Sequence, residues 1–293
     1  MTRAWLRLFL ILLPLTACAP PPASVPAGSV AAVEQRAESQ VIRIAFSFIY
    51  ASLSPEIASG FGYLAAPLYD RLTHFGPNYQ LQPAIAEQWD LSADGLSWRF
   101  TIRSDMRWPD GSPLSAEDVA FTLQTALEKN WPVRTFYTTV SQVSAPDRRT
   151  VVITTRTVDV SIPNAGAFLW VVPKVYFEQV GAEGFRQKPM GSGPYEVVEF
   201  VPGQRIHYKK RNQPHAYRKP ANDELIFTAI VEASQRLNGI RTGELDFCHM
   251  LLNAEQIDTA QRAGLQLKRL EGDTSIAILI PFGTAQTKGT PLQ

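Results

Sequence analysis

Leu81-Gln82-Pro83-Ala84-Ile85-Ala86-Glu87-Gln88-Trp89, Asp94-Gly95-Leu96-Ser97-Trp98-Arg99-Phe100-Thr101-Ile102-Arg103 and Trp108-Pro109-Asp110-Gly111-Ser112-Pro113-Leu114-Ser115-Ala116-Glu117-Asp118-Val119 are the three runs that decide the fold. Asp94-Gly95 is a strong hairpin signal, because glycine takes the positive φ that a tight turn needs. After it, Leu96, Trp98, Phe100 and Ile102 alternate with Ser97, Arg99, Thr101 and Arg103, the period of a half-buried strand. Trp108 to Pro113 reads as a second turn. Ser115, with Asp118 three residues on, is a capping box, so a helix starts there. Val119, Leu123, Ala126 and Leu127 are spaced for its buried face.

Outward from this centre the same vocabulary recurs. Ordered structure is expected from Val41, where Ile42, Ile44, Phe46 and Phe48 alternate with Arg43, Ala45 and Ser47. Tyr50 to Gly62 is a loop rich in Ser, Pro and Gly. Tyr63 to Leu72 reads as a short helix with Leu64, Leu68 and Leu72 on one face. Ser144-Ala145-Pro146-Asp147 separates two strand-like runs, the second being Thr150 to Thr154. Tyr195 to Phe200 and Arg205 to Tyr208 flank a Pro202-Gly203 turn. Glu224 to Ile230 is a strand, Ser234 to Thr242 a helix closed by Gly243, and Leu245-Asp246-Phe247 re-enters a sheet. Strands and helices mix without strict βαβ alternation, which predicts an α/β fold with a mixed sheet. There is no internal repeat.

The N-terminus reads as an address. Arg3 and Arg7 precede the apolar run Leu8 to Leu15, too short to span a bilayer and right for a signal peptide. It ends in Leu15-Thr16-Ala17-Cys18, similar to a bacterial lipobox, in which the Cys18 thiol accepts a diacylglyceryl group. The Pro- and Ala-rich stretch that follows cannot build a core and reads as a tether. Ala19, the residue after Cys18, is not the aspartate of an inner-membrane retention signal.

The 293 residues carry 45% apolar and 19% charged side chains and a net charge of +1, ordinary for a globular protein. No global field steers the chain to nucleic acid. The basic run Lys209, Lys210, Arg211, Arg218, Lys219 reads as a solvated loop. Assigning Cys18 to lipidation leaves Cys248 unpaired and excludes a disulfide framework.

No catalytic constellation is visible. His74, His207, His215 and His249 are scattered, with no carboxylate at metal-ligand spacing. There is no phosphate-binding glycine loop and no Gly-x-Ser-x-Gly elbow. Met190-Gly191-Ser192-Gly193-Pro194 comes nearest, but it leads into a hairpin and not a helix, which favours a turn. Neither a metal nor a cofactor is implied. The aromatic loop residues Tyr50, Phe61, Tyr63, Phe136, Tyr137 and Trp170 can line a ligand cleft or belong to the core.

The three opening runs closely resemble the signature block of family 5 extracellular solute-binding proteins, the dipeptide-, oligopeptide- and nickel-binding components of ABC importers. Pro189 to Tyr195 resembles that family's Gly-Pro-Tyr motif, Arg211-Asn212-Gln213-Pro214-His215-Ala216-Tyr217 its Arg-Asn-Pro-x-Tyr loop, and Gly243-Glu244-Leu245-Asp246 its Gly-Glu-x-Asp turn. The motifs run in order from about Val41 to the end. They identify a scaffold rather than a solute.

The resemblance implies a periplasmic-binding-protein-like fold of the two-lobed type II kind. It divides the chain into a lipoprotein signal peptide (1–17), a tether (18–40), lobe I in two segments (41–75 and 189–282) and an inserted α+β subdomain (76–188). Residues 283–293 would start the crossing to a second lobe that this sequence lacks. The implied role is non-enzymatic: an exported, periplasmic, monomeric lipoprotein, lipid-anchored to a bacterial membrane through Cys18. It captures a peptide or similar small solute for permease subunits, closing by a hinge. Tyr50, Phe61, Tyr63, Phe136, Tyr137 and Trp170 would contribute shape and stacking. With one wall of the cleft, solute affinity is expected to be weak. A membrane-tethered interaction lipoprotein without a transport role is the alternative, and an exported hydrolase a more distant one.

Overall fold

The computed structural model describes residues 40–57, 62–76, 79–250, 254–262, 264–270 and 276–281; Cys18, Phe61 and the expected crossing at 283–293 lie outside them. The alternating run at Ile42 forms β1 (Val41–Phe46), which becomes the centre of a seven-stranded sheet. Two neighbours lie parallel to it, β10 (Glu224–Ala229) and β11 (Phe247–Met250), with Ile44 opposite both Phe227 and Phe247. The hairpin β8 (Tyr195–Val201) and β9 (Arg205–Lys210) extends one side antiparallel, turning at Gly203 with φ 73°. On the other side lie β13 (Ile276–Pro281) and then β12 (Leu265–Leu270), again antiparallel. The order β12-β13-β11-β1-β10-β9-β8 is the mixed sheet expected from the sequence.

A second sheet, wholly antiparallel, joins the Asp94-Gly95 hairpin, β4 (Ala86–Leu91) and β5 (Ser97–Ile102), to a second hairpin, β6 (Val140–Asp147) and β7 (Thr150–Thr155), in the order β4-β5-β7-β6. Gly95 turns the first hairpin at φ 73°. Phe100, Ile102, Val151 and Ile153 form its buried face. Helix α1 (Ala116–Glu128) packs on β6 and β7 through Val119 and Leu123, each side chain contributing roughly 1.5–3 kcal/mol by leaving water. A short pair, β2 (Thr73–Phe75) and β3 (Leu81–Pro83), precedes this sheet; α2 (Ile162–Ala165) and α3 (Lys174–Gln187) follow it. Helices α4 (Ala233–Thr242) and α5 (Ala254–Arg262) separate β10 from β11 and β11 from β12, and α4 ends at Gly243 in the left-handed region, φ 78°.

Asp118 starts two helices at once. Its Oδ2 accepts the Ser115 N–H at 2.9 Å, completing the capping box of α1, and its Oδ1 accepts the Lys174 N–H at 2.9 Å at the start of α3. Burial pushes this carboxyl up, against four hydrogen bonds that lower it.

Two local expectations differ from the structure. Tyr63 to Leu72 is not a continuous helix: a 3-10 turn spans Tyr63–Ala65, turn bonds to Ala65 O carry on to Leu68 and Tyr69, and there the coiling stops. Pro67 has no N–H to donate, and beyond it the backbone pairs elsewhere, Val171 N with Asp70 O at 3.1 Å and Leu72 N with Leu169 O at 3.3 Å. Nor does Ser144 to Asp147 break the chain; it belongs to β6, and the turn falls at Arg148-Arg149. Strand β6 is an edge with a register shift between Ser144 and Asp147, where a proline costs no ladder bond.

Candidate functional site

In open α/β sheets, ligands settle outside the carboxyl ends of the parallel strands. Here those ends are Phe46, Ala229 and Met250. Tyr63 lies beside the ends of β1 and β11, its ring 5.7 Å from Phe46 and stacked at 5.3 Å on His249, the residue before Met250. Burial and the nearby charge of Arg236 hold the His249 imidazole below its ordinary pKa, so it is neutral at pH 7.

Tyr63 is also one wall of a cleft of about 500 Å³, shared with Tyr69, Asp70, Arg71, Trp170 and Arg218. The Arg71 guanidinium lies 4.0 Å over the centre of the Trp170 ring. Burial, then the charge of Arg218, lowers Arg71 from 12.5 to about 10. A larger groove of about 620 Å³ between α1 and β6, lined by Glu117, Arg148 and Lys174, lies on the other sheet, away from the parallel strand ends, and is the weaker candidate.

The floor of the cleft is tied by one carboxylate. The Asp70 side chain is 0% exposed. Its Oδ2 accepts from Ser192 Oγ at 2.8 Å and His215 Nε2 at 2.9 Å; its Oδ1 accepts from Tyr217 OH at 2.7 Å and Arg218 Nη1 at 3.2 Å. Burial alone would raise the pKa of this carboxyl, but the hydrogen bond from His215, the charge of Arg218 and the Tyr217 hydroxyl together bring it down to about 2. The His215 Nδ1 accepts the Arg218 N–H at 3.0 Å, so Nε2 carries the proton given to Asp70. Arg218 donates onward to Tyr69 O at 3.2 Å and Ala66 O at 2.9 Å. Three segments far apart in sequence, 66–70, 192 and 215–218, are thereby fastened together.

Glycines permit the fastening. A Cβ on Gly191 would come 2.1 Å from the Leu68 carbonyl oxygen, and one on Gly193 2.5 Å from that of Pro67. The Met190-to-Pro194 run is therefore a close backbone crossing that leads into β8, and Ser192 Oγ, which is buried, donates to an acid instead of facing a base.

The six aromatics singled out from the sequence fall in different places. Tyr63 (37% exposed) and Trp170 (4%) line the cleft. Tyr50 is half-buried with its ring 5.6 Å from Phe48. Phe136 stacks on Phe168 at 4.3 Å, and Phe168 reaches the cleft residue Phe75. Tyr137 is 1% exposed, a core residue; Phe61 lies outside the described residues. Sequence reasoning missed Asp70, Arg71, Ser192, His215, Tyr217 and Arg218. The basic run is not simply solvated, since Arg211 donates to the Ser192 and Gly193 carbonyls at 3.1 Å and Arg218 joins Asp70. The histidines find carboxylates only through folding, His215 with Asp70 and His207 with Glu224 at 2.7 Å. Among the described residues no cluster of His, Cys, Asp and Glu could hold a metal ion. Cys248 is fully buried.

Comparison with known proteins agrees with this geometry. The "Probable peptide-binding protein YejA" of Agrobacterium fabrum is 25% identical over 232 residues, covering 70% of this chain and 36% of that protein. "Di/tripeptide-binding protein 1" of Pseudomonas aeruginosa is 28% identical over 223 residues, covering 66% of this chain and 40% of that protein. The chain thus spans well under half the length of these curated relatives. Among solved structures, NikZ of Campylobacter jejuni in complex with Ni(L-His) superposes with a TM-score of 0.72 at 23% identity, covering 78% of this chain and 47% of that one. DppA of Helicobacter pylori in complex with the peptide STSA gives 0.70 at 22%, covering 78% and 50%. These likenesses establish the two-lobed periplasmic-binding-protein fold, of which this chain spans about half. The sequence profile of the bacterial extracellular solute-binding proteins, family 5 Middle, matches residues 80–288, taking in the hairpin, the capped helix, the glycine crossing and the Asp70-bound loop, and on that match the chain belongs to family 5 of the bacterial extracellular solute-binding proteins.

Proposed function

We propose that this chain supplies the first lobe of the solute-binding component of an ABC importer, capturing peptides or a similar small solute for a membrane permease. The observation that carries the reading is the cleft walled by Tyr63 and Trp170, with Tyr63 itself packed beside the carboxyl ends of β1 and β11, in a chain of this family. Relatives named as peptide-binding proteins favour a peptide. In this reading residues 41–75 and 189–282 form the lobe, 76–188 an inserted subdomain, and a second lobe closes on the solute by a hinge. Tyr63 and Trp170 stack on the solute, Tyr50 and Phe61 extend that surface, and Phe136 and Tyr137 shape it from behind. The protein does no covalent chemistry and acts as a monomer. Signal residues 1–17 are removed, Cys18 is acylated, and residues 18–40 tether the lobe in the periplasm.

Uptake of labelled di-, tri- and tetrapeptides by cells lacking the gene tests the role. Uptake of at least one should fall and be restored by the wild-type gene but not by Trp170→Ala. Unchanged uptake across the set would refute it. For the anchor, Cys18→Ala should move the protein from the membrane pellet to the soluble fraction.

A further inference from the structure

A further groove lies where α1 ends, the 3-10 turn Pro132–Phe136 follows and β6 begins. It measures about 640 Å³, a size that suits a small molecule, and among the described residues it shares no lining residue with the cleft of Tyr63 and Trp170. Local structure builds it. Asn130 takes a left-handed φ of 58° just past α1 and accepts a hydrogen bond from Arg134 Nη1. The Trp131 N–H returns to Ala126 O at 2.9 Å, and the Trp131 ring, 4% exposed, packs 5.8 Å from Phe177. Arg156, just after β7, donates through Nη1 to Val140 O at 3.0 Å and through Nη2 to Thr138 O. Arg134 thus belongs to the turn and Arg156 to the sheet, and both line the groove.

Charge and an unmet donor point to the ligand. Two guanidinium groups face one carboxylate among the described lining residues, Glu128. Both arginine side chains are exposed, and the three bonds above use only part of their N–H donors. Tyr137 supplies the independent sign. It lines the groove, is 1% exposed, and its hydroxyl is buried with no hydrogen-bond partner. A buried polar group without a partner is costly, and an acceptor entering the groove removes that cost. Burial pushes this phenol well above its ordinary pKa, so it keeps its proton and serves as a donor.

We propose that this groove is an accessory binding site for a small carboxylate with an apolar body, separate from the solute cleft. The carboxylate accepts from the Tyr137 hydroxyl and from Arg134 and Arg156, and the body packs on Leu127 and Trp131. The inference goes beyond the solute-binding reading and uses no residue that lines that cleft.

The test is a ¹⁵N–¹H titration of the full chain, following the indole signals of its six tryptophans, with Trp131→Phe identifying the Trp131 signal. The probes are phenylacetate, its neutral counterpart phenylacetamide, and inorganic phosphate. Phenylacetate should shift the Trp131 signal saturably at millimolar concentration and bind about tenfold more tightly than phenylacetamide. Tyr137→Phe, which deletes only the hydroxyl, should weaken phenylacetate about fivefold. Arg134→Gln, a change at an exposed side chain, should weaken it about threefold and leave phenylacetamide unaffected. Each variant is first checked for an unchanged spectrum of the other five indoles; if Tyr137→Phe fails that check, Arg134→Gln decides. No shift of the Trp131 signal by phenylacetate, shifts confined to other indoles, or equal affinity for acid and amide overturns the proposal. So does full phenylacetate affinity in Tyr137→Phe or in Arg134→Gln. A response to phosphate alone marks an adventitious ion only and overturns it as well. Each of these results leaves the solute cleft standing.

Discussion

Replacing Asp70 by asparagine keeps the shape of a fully buried side chain and removes its charge. Both carboxylate oxygens accept from donors, so the new Nδ2–H₂ must face one of two donor pairs, Ser192 with His215 or Tyr217 with Arg218. Two routes give the cost. Asp70 falls from 3.8 to about 2, which at 1.36 kcal/mol per pKa unit is about 2 kcal/mol of folding free energy. Breaking a buried ion pair costs about 3–5 kcal/mol, and the lower end applies because the Arg218 side chain is 33% exposed and regains water. The expected loss is about 3 kcal/mol at pH 7, or on the order of 10 °C in Tm for a chain of this size. Because the folded pKa lies below the unfolded one, the stabilisation is fully present above about pH 4 and is lost as pH falls toward about 2; about half is gone at pH 3. Urea unfolding followed by tryptophan fluorescence, for wild type and Asp70→Asn, measures both quantities. A gap under about 1 kcal/mol at pH 7, or one that does not narrow between pH 7 and pH 3, would refute the reasoning.

Other outcomes follow from the same contacts. Ser192→Ala removes one of four donors to Asp70 and should cost about 1 kcal/mol in the same assay without altering solute binding. Gly191→Ala should cost far more, roughly 3 kcal/mol or above, since a Cβ 2.1 Å from the Leu68 carbonyl oxygen forces backbone to move; a loss near 1 kcal/mol would show that the crossing is looser than described. Asp118→Ala uncaps α1 and α3 together, and chemical denaturation should register about 2 kcal/mol, twice a single cap. The Cys248 thiol, 0% exposed, should react with a thiol reagent only after unfolding; rapid reaction in the folded chain would contradict its burial.

Legibility in the sequence followed the range of the interaction. The β4–β5 hairpin, the α1 cap and the close of α4 at Gly243 were readable because turns and caps involve residues within a few positions, such as Asp94-Gly95 or Ser115 and Asp118. Tyr63 to Leu72 misled because its leucine spacing fits a helix, yet Pro67 and the long-range pairing with Leu169 to Val171 win; Leu64, Leu68 and Leu72 are buried all the same. The Asp70 cluster could not be read at all. Asp70 lies 122 residues from Ser192 and 145 from His215, and nothing local marks an aspartate that will be buried among donors. Two of the aromatics, Tyr63 and Trp170, lie on the cleft, but Tyr137 shows that a loop aromatic is as readily core.

Photo-crosslinking tests the central claim most directly. A tetrapeptide carrying a benzophenone side chain and a free C-terminal carboxylate would be irradiated with the full chain and the adducts located by mass spectrometry. Solute capture in the cleft walled by Tyr63 and Trp170 predicts adducts on the peptides that contain these two residues, suppressed by excess unlabelled tetra-alanine. Competable adducts confined to the groove between α1 and β6, with Tyr63 and Trp170 unmodified, would contradict it.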